Sequence, residues 1–238
     1  MTNAALSEPK QNRFFLYLTL AVAFFAVEGT FFFYVDKPLA AYIATLDTTS
    51  HDVIDFFRKI TDLGKGCWYL WPCGIATIFC SFLSRGNDVP GRYRRLFGYV
   101  GIRAYYVFAA IGISGIVANI IKMLVGRARP VLWFKETIYG FDPLTKLGYA
   151  WNSMPSGHST TAFALAFSLA VLYPRGRIIW FFYALLLSLS RVMVNAHYLS
   201  DVCAGAALGG VTVWLFTKFG MAPTAKIIFP IDNTHKML

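Results

Sequence analysis

Residues 66–84 read GCWYLWPCGIATIFCSFLS and carry no charged side chain. An uncharged apolar run of this length matches the roughly 20 residues that an α-helix needs to cross the hydrocarbon core of a bilayer. The rest of the chain agrees. Of its 238 residues, 57% are hydrophobic and 14% charged, where a soluble domain averages about 25% charged. The solvent implied is lipid, and the length suits about six spans of roughly 20 residues with their connections. The net charge of +10 then points to anionic lipid rather than nucleic acid. No RNA- or DNA-binding motif accompanies it.

The other segments follow outward from this span. Upstream, a polar tail (1–12) precedes an apolar run from about Phe14 to Val35. No small-residue cleavage site follows that run, so an uncleaved first helix is expected. Residues 36–65 are amphipathic, with Leu39, Tyr42, Ile43 and Leu46, then Val53, Ile54, Phe57 and Ile60, at helical spacing. Two short helices lying at the membrane interface are expected there, starting near Pro38 and near Thr49 or Ser50. Downstream, spans are expected from about Leu96 to Leu124, Gly157 to Tyr173, Ile178 to Ala196, and Leu199 to Phe219. A long loop, 126–155, carries Trp133, Tyr139 and Trp151, types favoured at a membrane surface. A basic tail, 220–238, closes the chain. The expected fold is all-α: six transmembrane helices bundled in a single membrane-embedded domain covering 1–238. Cys67, Cys73, Cys80 and Cys203 lack C-x-x-C spacing and read as small buried hydrophobes.

Lysine and arginine placement sets an orientation. Lys10, Arg13, Arg85, Arg92, Arg94, Arg95, Arg175, Arg177, Lys218, Lys226 and Lys236 share one face of a six-span layout, assigned to the cytoplasm. The opposite face holds ten Lys and Arg, but three or four of these belong to polar clusters that need an explanation of their own. The clusters are KMLVGRARP (122–130), PSGH (155–158) and SRVMVNAHYLSD (190–201). With six alternating spans all three emerge on the non-cytoplasmic side.

A charge at the bilayer centre costs roughly 2.5–3.5 kcal/mol on insertion scales, so such residues are normally paired or functional. Lys122, Arg129 and Arg191 supply three cations, two of them planar forks that suit a tetrahedral anion. The N–H groups of Ser156 and Gly157 open the fourth span, where a helix start favours phosphate, and Gly157 lets backbone come close. His197 and Asp201 are four apart and share a face if their segment is helical. A carboxylate on one imidazole nitrogen fixes the tautomer and leaves the other free to attack. His158 is then a second imidazole, so one can work deprotonated and the other protonated near neutral pH.

These residues resemble the signature of a known family. Lys122 with Arg129-Pro130, Pro155-Ser156-Gly157-His158, and Ser190-Arg191 with His197 and Asp201 match, in order, the type 2 phosphatidic acid phosphatase superfamily, which shares its site with vanadium haloperoxidases. The resemblance implies a membrane lipid phosphatase with no cofactor and no metal. His197 is the implied nucleophile, forming a phosphohistidine; Asp201 orients it and His158 protonates the leaving oxygen. Lys122, Arg129, Arg191, Ser156 and Gly157 hold the phosphate oxygens. TDLGKGCWYL (61–70) is loosely similar to bacterial lipid A 1-phosphatases. That makes lipid A 1-phosphate the first expected substrate, with undecaprenyl diphosphate and phosphatidylglycerophosphate as alternatives. A non-catalytic lipid-phosphate binding or transport protein is the alternative of another class. The expected setting is a bacterial inner membrane with the site facing the periplasm or exterior.

Four further features carry expectations. Arg127 faces either a lipid headgroup or solvent. Glu28, inside the first span, pairs with a neighbouring donor or lines the substrate entrance. Arg103 snorkels to the cytoplasmic interface. Gly205 and Gly209, a G-x-x-x-G, pack a helix closely inside the monomer.

Overall fold

The computed structural model describes residues 10–144 and 148–221. Residues 1–9 and 222–238, with most of the two expected tails, lie outside the described residues. The described regular structure is helical, apart from one isolated antiparallel bridge between Arg127 and Phe141. In chain order the helices are α1 (Lys10–Thr30), α2 (Asp36–Thr49), α3 (His51–Thr61), α4 (Cys67–Arg85), α5 (Gly91–Val125), α6 (Pro130–Glu136), α7 (Gly157–Leu172), α8 (Arg177–Met193) and α9 (Leu199–Leu215).

The expected break after Val35 is replaced by a π turn, Phe31–Val35, that carries α1 into α2. Its wider loop is closed by the Asp36 N–H donating to the Phe31 carbonyl. Pro38 supplies the physical reason. It has no N–H, and its ring would clash with the Tyr34 carbonyl in a regular helix; a single π turn lets the chain continue around it. Residues 36–65 do form two helices, broken at Ser50, which has extended-side φ and ψ of −141° and 60°. The second reaches α4 through a tight turn at Asp62–Gly64.

Helix α7 is the hub, packing on α5, α8 and α9. It is apolar nearly all round, as a helix enclosed by others must be. Ala162, Ala164 and Ala166 keep its surface thin, and all three are buried. Its closest neighbour is α9. A Cβ placed on Gly205 would lie 2.6 Å from the Ser156 carbonyl oxygen, and one on Gly209 would lie 2.7 Å from that of Thr160. The G-x-x-x-G therefore packs within the monomer, as its small residues suggest.

Five helical stretches are long and apolar enough to cross a membrane: Phe15–Thr49, His51–Arg85, Gly91–Val125, Pro174–Met193 and Leu199–Gly220. Helix α7, with 16 residues, is shorter. Large apolar side chains face outward on these stretches, including Phe25, Trp71 and Ile178 at 71%, 72% and 78% exposure. Exposure on this scale is incompatible with water and natural in lipid. The chain is an integral membrane protein. Arg103 departs from expectation. It is buried rather than snorkelled, with its guanidinium carbon 3.3 Å from the centroid of the Tyr99 ring.

The close α7–α9 approach can be tested directly. Gly209→Ala should cost about 1–3 kcal/mol, as overpacking against fixed backbone does, and should lower the thermal unfolding midpoint in detergent. Gly112→Ala, whose added Cβ meets nothing within 4 Å, should leave that midpoint unchanged or slightly raised.

Candidate active site

Three chain segments converge at one end of the bundle. The first is the end of α5. Gly126 terminates that helix in the left-handed region at φ 57°, where a Cβ would lie 2.1 Å from the Asp142 carbonyl oxygen. Only glycine fits, and the turn it allows sends the chain back across the bundle as an extended stretch. That stretch is held by hydrogen bonds from Ala128 N–H to the Gly140 carbonyl, 3.0 Å, and from Arg129 N–H to the Ala150 carbonyl, 2.9 Å. Pro130 then starts α6 at a position where its missing N–H costs nothing.

The second segment is the start of α7, with Ser156 as its N-cap. The Ser156 N–H donates to the Asp201 carbonyl at 2.8 Å. It is thus used inside the protein, contrary to its expected role toward an anion. The Ser156 hydroxyl is buried and has no hydrogen-bond partner among the described residues. The Gly157 position is open, with only the Lys122 Cε within 4 Å of where a Cβ would sit. His158 lies under the Asp62–Gly64 turn, so tightly that a Cβ on Gly64 would be 2.7 Å from its Cδ2.

The third segment joins α8 to α9. Asn195 takes a left-handed φ of 50°, and the Ala196 and His197 N–H groups both donate to the Arg191 carbonyl, at 3.1 and 3.2 Å. His197 therefore sits on a turn and not on a helix face. Asp201 is at the third position of α9, where its Oδ2 accepts the Tyr198 N–H at 2.8 Å, a charged cap on the helix start. His197 Nδ1 lies 3.6 Å from the same Oδ2. That is a close approach just beyond hydrogen-bond length, and Nδ1 has no other partner among the described residues.

Lys122, Arg129 and Arg191 are all buried. Lys122 Nζ and Arg129 Nη2 both donate to the Asn152 carbonyl, at 2.9 and 3.2 Å. Arg129 Nη1 donates to the Ala196 carbonyl at 3.1 Å, and Arg191 Nη1 to Thr61 Oγ1 at 2.7 Å. Among the described residues none of the three forms an ion pair, and the Nε of both arginines is unpartnered. Buried cations held by neutral carbonyls and hydroxyls keep their charge for a guest, and spare N–H donors suit an anion. Among the described residues no group of three or more His, Cys, Asp or Glu converges as a metal site would require.

Two expectations need correction. Arg127 touches neither headgroup nor solvent. It is 1% exposed and donates to Asp201 Oδ1 and Asp36 Oδ2, both at 2.6 Å. Glu28 is buried, and neither of its carboxyl oxygens has a hydrogen-bond partner among the described residues, so the expected donor is missing. It instead lines a cleft of about 270 Å³ with Phe25, Phe32, Phe33 and Phe141, close to Arg127.

The family model of the PAP2 superfamily matches residues 103–224. The chain belongs to the PAP2 superfamily. Its three signature clusters, from Lys122 to Asp201, all fall within the matched stretch. A lipid A 1-phosphatase of Rhizobium etli is 39% identical over 145 residues, covering 56% of this chain and 62% of that protein. The undecaprenyl-diphosphatase BcrC of Bacillus subtilis is 33% identical over 128 residues, 52% of this chain and 62% of that one. The chain thus spans less than two thirds of either relative. The crystal structure of Aquifex aeolicus LpxE is similar in fold, with a TM-score of 0.56 at 23% identity, over 79% of this chain and 97% of that one. The PAP2 match leaves out residues 1–102, so Asp36, Thr61 and Gly64 reach the signature residues from outside it.

Burial lowers the His197 pKa from 6.5 to about 3, although Asp201 beside it acts in the opposite direction. Burial thus favours the neutral imidazole of His197 near neutral pH. Between pH 6.5 and about 3 the unfolded chain gains a proton that the folded one refuses, so the stability owed to this group falls as pH drops through that window. In NMR of isotope-labelled histidine, the His197 resonance of the phosphate-free protein should stay neutral down to about pH 4. A midpoint near 6.5 would show that burial does not govern it.

Proposed function

We propose that the chain hydrolyses a phosphate from a membrane lipid through a phosphohistidine on His197. The observation that carries this reading is the placement of a buried His197, beside Asp201, with three buried cations that form no ion pair among the described residues. A binding site would need the cations alone; the imidazole beside Asp201 adds a nucleophile.

His197 Nε2 attacks phosphorus, forming a P–N bond as the P–O bond to the lipid breaks, and His158 gives its proton to the leaving oxygen. Positive charge then develops on His197. The 3.6 Å separation of Nδ1 and the Asp201 carboxylate shortens to a hydrogen bond, which stabilises the transition state more than the ground state. His158, now neutral, takes a proton from water; that water attacks phosphorus, the P–N bond breaks, and phosphate leaves. Lys122, Arg129 and Arg191 with the Ser156 hydroxyl and the Gly157 N–H hold the equatorial oxygens and their growing charge.

Lipid A 1-phosphate is the proposed substrate, supported by the 39% identity to the Rhizobium protein and by the 61–70 stretch folding over His158. Undecaprenyl diphosphate is the second reading, supported by the likeness to BcrC. Counting α7, six helices alternate in direction within one domain, α2 and α3 flank the site at the membrane surface, and the three segments open on the periplasmic side of an inner membrane.

Purified protein should release phosphate from lipid A in preference to undecaprenyl diphosphate, phosphatidylglycerophosphate and phosphatidic acid. His197→Ala and His158→Ala should each lower kcat by about a thousandfold or more while the protein still inserts and keeps its unfolding midpoint. Labelled substrate should leave acid-labile, base-stable label on His197. Turnover by both variants would sink the proposal, and a protein that binds lipid phosphate without ever carrying label would be a binder.

A further inference from the structure

Asp201 is held on the side away from His197 by a network that begins in the first helical segment. Arg127 Nη1 donates to Asp201 Oδ1 at 2.6 Å and to Ser200 Oγ at 2.5 Å, while Nη2 donates to Asp36 Oδ2 at 2.6 Å. The Ser200 hydroxyl donates to Asp36 Oδ2 at 2.5 Å, and the Ser200 N–H donates to Asp36 Oδ1 at 3.1 Å. Asp36 and Asp201 are 1% and 0% exposed. On the remaining oxygen, Asp201 Oδ2 accepts from Ser153 Oγ at 2.5 Å and from the Tyr198 N–H at 2.8 Å. The rings of Phe32, Phe141 and Tyr198 enclose the guanidinium, with centroids 5.1, 5.6 and 4.8 Å from its central carbon.

This arrangement has two physical consequences. Contacts on both oxygens stop the carboxylate from turning, so Oδ2 stays aimed at Nδ1 of His197. And Asp36 and Asp201 are two buried carboxylates that share one cation. A planar fork reaches each with its own nitrogen; a lysine ammonium would have to serve both from a single nitrogen. Without the fork that joins them, two like charges would sit together in low dielectric, and one would take a proton. A protonated Asp201 could not stabilise the imidazolium that forms when His197 attacks.

We infer that Arg127 and Asp36 are positioning residues for the reaction: they hold Asp201 ionised and oriented, so that the site is complete only with α2 docked on the turn before α9. The inference rests on the phosphohistidine reading above. Neither residue is among those proposed to hold phosphate, and so both should act on turnover and not on binding.

Steady-state kinetics in detergent test it, with inorganic phosphate as a competitive probe of the anion site. Arg127→Gln should lower kcat on the order of ten- to a hundredfold, the loss typical when the partner behind an active group is removed. KM and the inhibition constant for phosphate should stay within about twofold, because no group that holds phosphate has changed. Arg127→Lys should fall between wild type and Arg127→Gln. The double variant Arg127→Gln/Asp36→Asn should recover part of the lost kcat, since removing one of two unpaired carboxylates lets the other stay ionised. An unchanged kcat, a KM and phosphate constant that move with kcat, or a double variant no better than the single would each overturn the inference. If Arg127→Gln yields no folded protein, Arg127→Lys carries the same split of kcat from KM. An inactive His197→Ala beside an unimpaired Arg127→Gln defeats this inference alone, whereas an active His197→Ala defeats the functional reading and this inference with it.

Discussion

The N–H of Ser156 donates to the carbonyl of Asp201, and much of the site depends on that one backbone bond. It ties the start of α7 to the first turn of α9, and so sets the Ser156–His158 stretch against the turn that carries His197. The bond can form only because Gly205 and Gly209 let the two helices touch backbone to backbone. Packing in lipid has no hydrophobic drive between apolar surfaces, so close van der Waals fit and backbone contact must supply the adhesion. The same glycines therefore provide both the adhesion and the register of the chemistry.

Around this seam the charges are sorted. The cations of Lys122, Arg129 and Arg191 lean on carbonyls and a hydroxyl, which satisfy their donors without cancelling their charge. The carboxylates of Asp36 and Asp201 face the other way, onto Arg127. His197 stands at the border. Had an acid paired with any of the three site cations, the pocket would already contain its counter-ion, and a phosphate would need to displace it.

Much of this was legible in the sequence, for a reason that follows from solvent. In a chain that avoids charge, each buried Lys, Arg, His or Asp is visible against its background, and three such clusters at the ends of apolar runs locate the site. Helix positions were readable too, because α5, α7, α8 and α9 end at residues close to those expected for the apolar runs. The rest depended on tertiary geometry. The π turn that joins α1 to α2 is forced by Pro38, yet nothing local distinguishes a helix that stops from one that widens and continues. One of the two carboxylates on Arg127 was hidden because Asp36 lies far away in sequence and looks like an ordinary charge at a span end. The contact of His197 with Asp201 was anticipated, but by helical spacing, whereas a left-handed Asn195 and a tight turn bring it about. Spacing arguments find which residues meet more readily than they find why.

The placement of Asp36 also bears on how such a chain could be recombined. The residues proposed to carry the chemistry lie in the stretch matched by the PAP2 superfamily, while helices α1 to α4 lie before it. Exchanging those flanking helices between relatives to redirect substrate choice looks simple, as if a handle were being changed on a fixed blade. It is not a clean cut. The flank brings a carboxylate that half of the Arg127 fork requires, together with the Thr61 hydroxyl on Arg191 and the Gly64 backbone on His158. A hybrid would have to inherit these three contacts with the new flank, which makes the junction between the two parts a matter of charge and shape, not of sequence position.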